Sequence, residues 1–415
     1  MNTINKVCVI GLGHIGLPTA LVLSEAGYQV HGVDVNDQTV SALGKGEATI
    51  VEPGIDELLK TNTEKQNFTV SSSTTAADVF IIAVPTPLSQ DQTADLSYIF
   101  SAIDAAIPNL NGEELLINES TCPPGTTEAI AEHIVSVRPD LTLEPNRPNS
   151  IYLAHCPERV IPGKTLRELK SNSRIVGGFN SQSSSLAKQL YESFCSGEIL
   201  LTDIKTAELV KLAENAFRDV NIAFANELSG VADRLGINVW EVIKLANHHP
   251  RVNILKPGPG VGGHCIAVDP WFIHQAAPSI TPLVKLSREV NDRRPKEFAR
   301  KIISELAPIR NAKICVLGLA FKANVEDLRE SPAIKVVMGL AHKLPNAEFL
   351  IVEPHINQLP DNLEKFSNLS LVSSPSDWEA FDAVLVLTDH DEFSDIPVPD
   401  PSRILVFDSR GFWEE

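Results

Sequence analysis

A glycine-rich turn between a short apolar strand and a helix constrains this chain more than any other feature. Residues 6–10 are apolar and partly β-branched over a run too short for a helix, so they predict a strand. Gly11-Leu-Gly-His-Ile-Gly16 follows, and residues 17–26 have the pattern of a helix. The three glycines allow a tight turn that aims the helix N-terminus at the phosphates of a dinucleotide. This pattern is typical of the first half of a nucleotide-binding βαβ unit.

An acidic residue closes the next predicted strand. Residues 28–34 form that strand and end at Asp34. Its carboxylate can accept hydrogen bonds from both ribose hydroxyls and would repel a 2′-phosphate, so the spacing favours NAD over NADP. FAD stays open on this fingerprint alone, and a glycine-rich turn without a ligand is the structural alternative.

Further short apolar strands alternate with helices along the first half of the chain. Strands are predicted at 79–84, 115–118 and 152–155, and the alternation implies a parallel, doubly wound sheet. Thr86 and Thr121 follow two of these strands, at the edge where such a sheet binds its ligand. For each threonine, a role as a turn or capping residue is the alternative.

The rest of the chain combines a long helix with a second strand–glycine pattern. Helical spacing of apolar residues from Thr206 to Leu235 predicts one helix of roughly 45 Å, which could join two domains and supply a subunit interface. Residues 247–270 predict a loop. Lys313-Ile-Cys-Val-Leu317 and then Gly318 repeat the opening pattern in altered form. Later strands fit 348–352, 383–387 and 403–407.

These elements define the expected fold class. It is α/β, with two Rossmann-like, doubly wound domains joined by a long central helix and a helical middle domain.

Composition and charge narrow the class of partner. The formal net charge is −18, which argues against a nucleic acid, whereas an anionic small molecule in a locally positive cleft is compatible. No apolar run approaches the roughly 20 residues of a membrane helix, and the N-terminus lacks the pattern of a signal peptide. The six cysteines show no C-x-x-C spacing, so we expect no metal site, no disulfides and a reducing, cytoplasmic location.

The segment from Pro257 to Phe272 is the strongest candidate for chemistry. Its glycines precede Cys265, and Asp269 follows four residues later. A thiolate attacks an aldehyde readily, and flexible glycines let a substrate carbon approach and can expose N–H donors to an oxyanion. Because Asp269 precedes Pro270, its backbone is biased away from helix, so spacing alone does not put Cys265 and Asp269 on one helical face. A buried structural cysteine is the alternative.

Three polar residues share one face of the predicted long helix. Lys211, Asn215 and Arg218 stand at i, i+4 and i+7, beside apolar neighbours. A lysine there could stabilise a developing alkoxide or relay a proton. A solvated polar stripe is the alternative.

A series of motifs in fixed order resembles the UDP-glucose/GDP-mannose dehydrogenase family over nearly the full length. The motifs are Gly-Leu-Gly-His-Ile-Gly-Leu-Pro at 11–18, Val-Pro-Thr-Pro at 84–87, Glu-Ser-Thr at 119–121, Cys-Pro-Glu-Arg at 156–159, the run at 214–228, Asn-His-His-Pro-Arg-Val-Asn at 247–253, the Cys265 segment and the run at 318–332. The resemblance implies an NAD-binding domain at 1–205, a central helical and dimerisation domain with the cysteine loop at 206–300, and a C-terminal UDP-binding α/β domain at 301–415.

The resemblance also implies a reaction and its residues. The C6 alcohol of a UDP-sugar would be oxidised by four electrons with two NAD, through a thiohemiacetal and a thioester on the cysteine. The implied catalytic residues are Cys265, Lys211, Asn215, Glu158, Asp269 and Thr121. The lysine and the asparagine would stabilise charge on oxygen, and the carboxylates and the threonine would position or activate water.

Ligand contacts follow by the same resemblance. The implied cofactor contacts are Gly11, Gly13, His14, Ile15, Gly16, Asp34, Thr86, Thr127 and Arg329. The implied substrate contacts are Arg159, Val160, Lys211, Asn215, Arg218, His249, Arg251, Gly262, Phe321, Lys322 and Arg410. Two departures question cofactor contacts rather than the chemistry: His14 replaces a usual Tyr, and Cys122-Pro-Pro-Gly replaces the commoner Ser-Pro-Val-Gly.

The resemblance favours one sugar and one assembly, with rivals. UDP-N-acetyl-D-mannosamine is the favoured substrate, with a product used in polysaccharide synthesis such as that of enterobacterial common antigen. UDP-glucose and UDP-N-acetylglucosamine are the alternatives with the same chemistry. A homodimer through the central helix, or a dimer of dimers, is implied. Two rivals change the class: a two-electron β-hydroxyacid dehydrogenase, which leaves the second α/β domain unexplained, and a non-catalytic NAD sensor.

Overall fold

Two open β-sheets organise the chain, each in its own unit. The computed structural model describes residues 4–263, 265–373 and 380–414. One unit comprises Met1–Ala213 with Trp271–Ala277, and the other comprises Glu214–Pro270 with Pro278–Glu415. The expectation of two doubly wound α/β sheets and a long helix is confirmed.

The first sheet has eight strands in the order β3-β2-β1-β4-β5-β6-β7-β8. They are β1 Lys6–Ile10, β2 Gln29–Val33, β3 Phe68–Ser71, β4 Val79–Ile82, β5 Leu115–Asn118, β6 Tyr152–His155, β7 Arg174–Gly178 and β8 Ile199–Asp203. All neighbouring pairs are parallel except β6 and β7, which are antiparallel. The parallel arrangement expected of the predicted strands is confirmed. Strands β7 and β8, which the sequence pattern did not predict, run in the opposite direction because the chain turns back after β6.

Helices cover both faces of this sheet. They are α1 Gly16–Glu25, α2 Asp37–Gly44, α3 Ile55–Glu64, α4 Ser97–Ala106, α5 Thr126–Val137, α6 Thr165–Ser171 and α7 Ser181–Glu192. Strand β1 shows why the central strands read as continuous apolar runs. Val7 and Val9 enter one hydrophobic cluster, whereas Cys8 and Ile10 enter another on the opposite face.

The predicted long helix is present as α8, Ile204–Leu235, with 32 residues. It begins in the first unit and continues into the second. Gly236 follows it with a φ of +68°, a conformation that favours glycine at a helix C-terminus. Within the described residues, neither α8 nor any other helix is both long and apolar enough to cross a membrane.

The second sheet has five strands, all parallel, in the order β11-β10-β9-β12-β13. They are β9 Lys313–Leu317, β10 Glu348–Val352, β11 Leu369–Val372, β12 Ala383–Val386 and β13 Leu405–Asp408. The remaining helices are α9 Val239–Ala246, α10 Asp269–Ala276, α11 Pro282–Leu306, α12 Pro332–Lys343 and α13 Asp361–Glu364. The strand expected at 403–407 starts two residues later than predicted.

The start of α10 corrects the interpretation of the cysteine segment. Residues 247–263 and 265–268 lie outside helices and strands as predicted, but Asp269 and Pro270 are the first two residues of α10. The missing N–H of a proline costs nothing in the first turn of a helix, so Pro270 is tolerated there. The expectation that Asp269 avoids helix is therefore wrong.

A buried ion pair joins α8 to α11 in the second unit. Arg288 Nη1 lies 2.5 Å from Asp219 Oδ1, and the two side chains are 1% and 0% exposed. Asn291 donates a second hydrogen bond to the same carboxylate oxygen at 2.8 Å. Removing Asp219 would leave the buried Arg288 with the half-exposed Asp292 as its remaining acidic partner among the described residues.

We expect Asp219→Ala to lower the free energy of unfolding by about 3–5 kcal/mol. The control is Asp233→Ala on the same helix, whose pair with Lys301 is 45% and 41% exposed. That change should cost at most about 1 kcal/mol. Urea denaturation of the wild type and both variants, at the same protein concentration, measures the two changes in the free energy of unfolding. Equal destabilisation by the two substitutions would contradict the structural role of the buried pair.

Candidate active site

The turn after β1 has the geometry that the glycine spacing predicts. Gly11 has a φ of +92°, and a Cβ added at Gly16 would lie 1.8 Å from the Gly11 carbonyl oxygen. A Cβ added at Gly13 would meet no atom within 4 Å. Gly11 and Gly16 therefore close the turn, whereas Gly13 leaves its outer face open to a ligand.

Asp34 ties this turn to the end of β2. Its two carboxylate oxygens accept the N–H groups of Leu12 and Asn36, each at 2.9 Å. The side chain of Ile15 makes no capping hydrogen bond at the N-terminus of α1, so the helix start is not blocked by a side-chain cap. Val35 is 93% exposed and adds an apolar surface beside the carboxylate. The turn thus offers a phosphate site, a ribose acceptor and apolar surface.

Two predicted cofactor contacts are buried threonine hydroxyls. Thr86 follows β4, and Thr127 lies in the first turn of α5. The Thr86 Oγ1 atom has no hydrogen-bond partner among the described residues, whereas the Thr127 side chain lies close enough to Glu208 to favour its charge. Buried hydroxyls are normally satisfied, so the Thr86 hydroxyl fits a polar atom of a bound dinucleotide. Together with Asp34 and the glycine turn, these residues fit NAD.

The second sheet repeats the turn but closes it. Gly318 follows β9 with a φ of +85°, and the N–H groups of Leu319 and Ala320 donate to Glu353 at 2.7 and 2.9 Å. Glu353 follows β10 as Asp34 follows β2. However, it is fully buried and lies 3.1 Å from the equally buried His390. Glu353 is therefore sealed from any ribose, and the repeat serves the fold.

Glu158 and Lys211 are brought together in the first unit. Glu158 follows β6 and is 8% exposed, and Lys211 Nζ donates to its backbone carbonyl oxygen. Thr121 follows β5, the neighbour of β6. Burial lowers the pKa of His155, at the end of β6, to about 3, so its ring is neutral beside Lys211 at neutral pH. His155 therefore adds no positive charge beside the lysine.

The sequence pattern did not predict that a buried cation lies beside Glu158. Arg174 Nη2 lies 3.0 Å from Glu158 Oε2, and both side chains are less than a tenth exposed. Tyr191, over whose ring Arg174 lies, donates its hydroxyl to Glu119 at 2.7 Å. Burial raises the pKa of Glu119 to about 7, although Arg174 opposes the rise. Arg174 starts β7, a strand that the apolar pattern did not predict.

Glu208 anchors α8 to the start of α5. Its carboxylate accepts the N–H groups of Gly125 at 2.6 Å and Thr127 at 2.8 Å. Cys122 donates its thiol to the same carboxylate at 3.7 Å. Burial raises the pKa of Cys122 well above its ordinary value, so this thiol stays protonated. The cysteine at position 122 therefore keeps the hydrogen-bond donor that a serine would supply and does not add a second nucleophile.

Cys265 differs from the other cysteines. All six lie in the described part of the chain outside disulfides, and five are buried while Cys265 is exposed. Its carbonyl oxygen accepts the N–H of Asp269 at 2.9 Å. Asp269 in turn accepts a hydrogen bond from Asn215 Nδ2 at 2.5 Å. The second unit thus gathers three predicted catalytic residues: an accessible thiol, a buried carboxylate and an amide.

The glycines before the cysteine serve close packing within the second unit. A Cβ at Gly262 would lie 2.8 Å from Phe321 Cβ, and one at Gly258 would lie 2.9 Å from Arg410 Nη1. The N–H of Gly263 donates to the Arg329 carbonyl oxygen at 3.3 Å. This N–H is therefore not available to an oxyanion, which corrects one expected use of the glycines. His264 lies outside the described residues.

The other residues predicted to bind the substrate or the cofactor have fewer contacts with one another. Arg159 donates to the Ser173 carbonyl oxygen, and Val160 is half-buried beside it. Lys322 Nζ lies 5.8 Å from the centroid of the Phe321 ring. His14, Arg218, His249, Arg251 and Arg329 are exposed. The predicted catalytic set is divided, with Thr121, Glu158 and Lys211 in the first unit and Asn215, Cys265 and Asp269 in the second.

Two groups of described side chains have metal-ligating atoms within 4.8 Å of one another. They are Cys122, His155 and Glu208, and Glu353, His355 and His390. In each group the glutamate already accepts two backbone N–H groups and a hydrogen bond from a cysteine or histidine, which explains its burial without an ion.

Comparisons with known proteins identify the family. Models of three domains of the UDP-glucose/GDP-mannose dehydrogenase family match the chain: the NAD-binding domain at residues 5–195, the central domain at 205–293 and the UDP-binding domain at 315–415. A two-electron β-hydroxyacid dehydrogenase does not account for the last of these.

Relatives and solved structures agree with the domain models. The chain is 48% identical to UDP-N-acetyl-D-mannosamine dehydrogenase of Campylobacter jejuni, over 95% of this chain and 98% of that one. It is 45% identical to NDP-N-acetyl-D-galactosaminuronic acid dehydrogenase of Ralstonia nicotianae, over 98% and 96%. The structure of UDP-D-ManNAc dehydrogenase from Pyrococcus horikoshii matches with a TM-score of 0.85 at 38% identity, over 98% and 96%. The chain therefore belongs to the UDP-glucose/GDP-mannose dehydrogenase family and is an NAD-dependent nucleotide-sugar dehydrogenase.

Proposed function

We propose that this enzyme oxidises the C6 alcohol of UDP-N-acetyl-D-mannosamine to the carboxylate, using two NAD and Cys265 as the nucleophile. The observation that carries the proposal is the exposed Cys265 thiol, four residues before an aspartate held by Asn215. A covalent cysteine lets one site perform the second oxidation without releasing an aldehyde. We place this reaction in the cytoplasm, where the six thiols stay reduced.

The proposed reaction begins at the alcohol. NAD, when bound, accepts a hydride from C6 in each of the two oxidations. As the alcohol releases its proton to water, Lys211 and Asn215 stabilise the negative charge that develops on oxygen. The Cys265 sulfur then adds to the aldehyde carbon, and the thiol proton passes to the aldehyde oxygen to complete a thiohemiacetal. The second oxidation removes a hydride from C6 and releases the hydroxyl proton to water, which leaves a thioester on Cys265.

Water ends the cycle. Glu158 takes a proton from a water molecule that attacks the thioester carbon, while Thr121 and Asp269 help to orient it. The carbon–sulfur bond breaks, the carboxylate leaves and the thiol is regenerated. Among the described residues, Glu158 Oε2 accepts no hydrogen bond, which supports its use as the base.

The substrate's two phosphates need cations in an acidic protein. The proposed partners of the pyrophosphate are Arg159, Arg218, Arg251 and Arg410. A guanidinium group can donate two parallel hydrogen bonds to the oxygens of one phosphate. In this scheme residues 1–205 hold NAD, residues 301–415 hold the UDP group, and residues 206–300 supply the cysteine loop and the dimer contact.

The names of the relatives narrow the choice of the sugar in the proposed substrate. The Campylobacter jejuni and Ralstonia nicotianae proteins are both named for N-acetylated sugars, which favours an N-acetylhexosamine over glucose. The mannosamine name recurs in the Pyrococcus horikoshii structure. UDP-glucose and UDP-N-acetylglucosamine remain the alternatives that keep the same chemistry.

Turnover on a substrate panel tests this proposal. We expect the kcat/KM for UDP-N-acetyl-D-mannosamine to exceed those for UDP-N-acetylgalactosamine, UDP-N-acetylglucosamine, UDP-glucose and GDP-mannose by at least about tenfold, or roughly 1.4 kcal/mol. Two NADH should form per acid, and Cys265→Ser should lose nearly all acid formation while its affinity for NAD changes little.

Each contrary result has a separate meaning. Equal or better turnover of UDP-glucose would overturn the choice of sugar. One NADH per product would contradict four-electron oxidation, and wild-type acid formation by Cys265→Ser would rule out the covalent route.

The exposed face of α8 supports the proposed dimer. Phe217, Phe224 and Val231 recur every seven residues, so they lie on one face of the helix, and they are 65%, 50% and 53% exposed. Leu235 extends this stripe and is 65% exposed. A row of large apolar side chains along one exposed helix is typical of a subunit interface. We propose that a second copy of the chain covers it.

Phe224→Glu should convert the dimer to a monomer, because it places a charge in an apolar interface. Light scattering after size-exclusion chromatography measures the mass. The matched control is Tyr98→Glu on α4, where the aromatic side chain is 49% exposed, and it should leave the mass unchanged. A monomeric wild type, or a dimeric Phe224→Glu variant, would contradict the α8 interface.

A further inference from the structure

Arg174 is held in one orientation by aromatic side chains. Its guanidinium carbon lies 4.7 Å from the centroid of the Tyr191 ring and 5.4 Å from that of Phe194. Its Nη1 donates to the Cys156 sulfur at 3.8 Å. A planar guanidinium stacked in this way cannot follow a moving partner, so Arg174 imposes its position on the carboxylate beside it.

That carboxylate is Glu158, and its two oxygens differ. Oε1 accepts the N–H of Arg159 at 2.6 Å. Oε2 lies 3.0 Å from Arg174 Nη2 without accepting a hydrogen bond from the described residues. One oxygen is therefore fixed by the backbone, and the other is buried beside a positive charge.

A second buried carboxylate belongs to the same cluster. Glu119 is 3% exposed and accepts hydrogen bonds from the Tyr191 hydroxyl at 2.7 Å and from Thr19 at 3.5 Å. The guanidinium of Arg174 favours the charge of Glu119, whereas the neighbouring Glu158 carboxylate opposes it.

We propose that Arg174 is a positioning residue that keeps Glu158 ionised and oriented for thioester hydrolysis, and that Glu119 modulates this effect through its own charge. This inference rests on the proposed role of Glu158 in hydrolysis. Arg174 and Glu119 act through Glu158 and do not contact the substrate in this scheme.

Other titratable groups lie around Glu158. Cys156 precedes it on its own segment, Tyr191 faces the cluster from α7, and Lys211 of α8 donates to the Glu158 carbonyl oxygen. Burial raises the pKa of Cys156 to about 12 and that of Tyr191 well above its ordinary value, so both are neutral at neutral pH. Glu119 is therefore the group in this cluster whose charge changes near pH 7.

The charges of Glu158 and Glu119 determine how the rate of hydrolysis depends on pH. Hydrolysis requires ionised Glu158, so its rate falls on the acid side as this carboxylate takes a proton. Burial raises the pKa of Glu119 to about 7, so Glu119 is mostly neutral below that pH and Arg174 then serves Glu158 alone. Above pH 7 Glu119 is charged and shares Arg174. Removing the arginine should move the acid limb of the pH–rate profile for hydrolysis to higher pH. Removing the Glu119 charge should change the hydrolysis rate only near pH 7.

Rapid mixing of enzyme and UDP-N-acetyl-D-mannosamine with NAD tests this inference in three variants. Arg174→Met keeps the bulk without the charge, Arg174→Lys keeps the charge without the fork, and Glu119→Gln removes the second carboxylate. NADH absorbance follows the oxidations, and quenched samples follow the acid. The control is Arg147→Met, at an exposed arginine paired with Glu144, and it should behave as the wild type.

For Arg174→Met we expect acid formation to slow by at least about tenfold on the acid side of the pH–rate profile, because Glu158 loses both its orientation and the neighbouring positive charge. Because the oxidations should change little, a burst of two NADH per site should precede a slow steady state. The acid limb of the kcat profile should move to higher pH while KM changes little. Arg174→Lys should restore the position of the limb, and Glu119→Gln should remove the inflection near pH 7.

A uniform loss of all steps in Arg174→Met, with an unshifted acid limb and no burst, would show a merely structural role and overturn the inference. If Arg174→Met does not fold, Glu119→Gln decides: a profile near pH 7 identical to that of the wild type overturns the inference. Failure of the proposed function is distinguishable, because the wild type itself would then form no acid from the UDP-sugar or form one NADH per product.

Discussion

The carboxyl ends of parallel strands meet at one edge of a sheet, and the first unit depends on this constraint. The glycine turn follows β1, Asp34 follows β2, and Thr86, Thr121 and Glu158 follow β4, β5 and β6. Strand order reverses between β1 and β4, which is where a doubly wound sheet opens a crevice for its ligand. Residues more than a hundred positions apart are thus assembled at one edge by backbone pairing alone.

The start of α8 is fixed to that same edge by hydrogen bonds to charged side chains as well as by buried apolar residues such as Ala207. Glu208 accepts two N–H groups at the start of α5, where the helix dipole favours a carboxylate. One turn later, Lys211 donates to the Glu158 carbonyl oxygen. The anchor therefore sets the position of a proposed catalytic lysine. It also explains why a cysteine is accepted at position 122, since a protonated thiol can donate to Glu208.

Features that have a local cause were predictable from the sequence. The glycine turn, Asp34 and α8 follow from spacing and periodicity, and each lies where it was expected. The direction of β7 was not predictable, because apolar alternation carries no information on whether a connection crosses over. Arg174 was missed for a related reason. A buried ion pair is made by residues distant in sequence, and no spacing rule marks it.

The cysteine segment shows both outcomes. Its glycines and its single exposed thiol were recognised, but their geometry was only partly predicted. Pro270 suggested a break in helix and instead lies in the first turn of α10. The glycines were expected to expose N–H donors to an oxyanion, but the N–H of Gly263 binds the Arg329 carbonyl oxygen. In both cases the local rule allows two structures, and contacts with residues distant in sequence select one.

The second sheet shows how a repeated motif loses a function. Its glycine turn and its acidic residue after β10 copy the first sheet, yet His390 lies against Glu353 and both are fully buried. The sequence pattern alone does not distinguish an open carboxylate from a sealed one. Burial therefore separates the sheet that fits NAD from the sheet that repeats its turn.

The central claim is that the substrate carbon becomes covalently bound to Cys265, and mass spectrometry tests it most directly. Glu158→Gln, which should slow hydrolysis, is mixed with UDP-N-acetyl-D-mannosamine and NAD, quenched in acid and digested. The account predicts an acyl adduct of the UDP-sugar on the peptide that contains Cys265, and its absence in a Glu158→Gln, Cys265→Ser double variant. An adduct on another residue, or acid formation with no adduct at any time point, would contradict it.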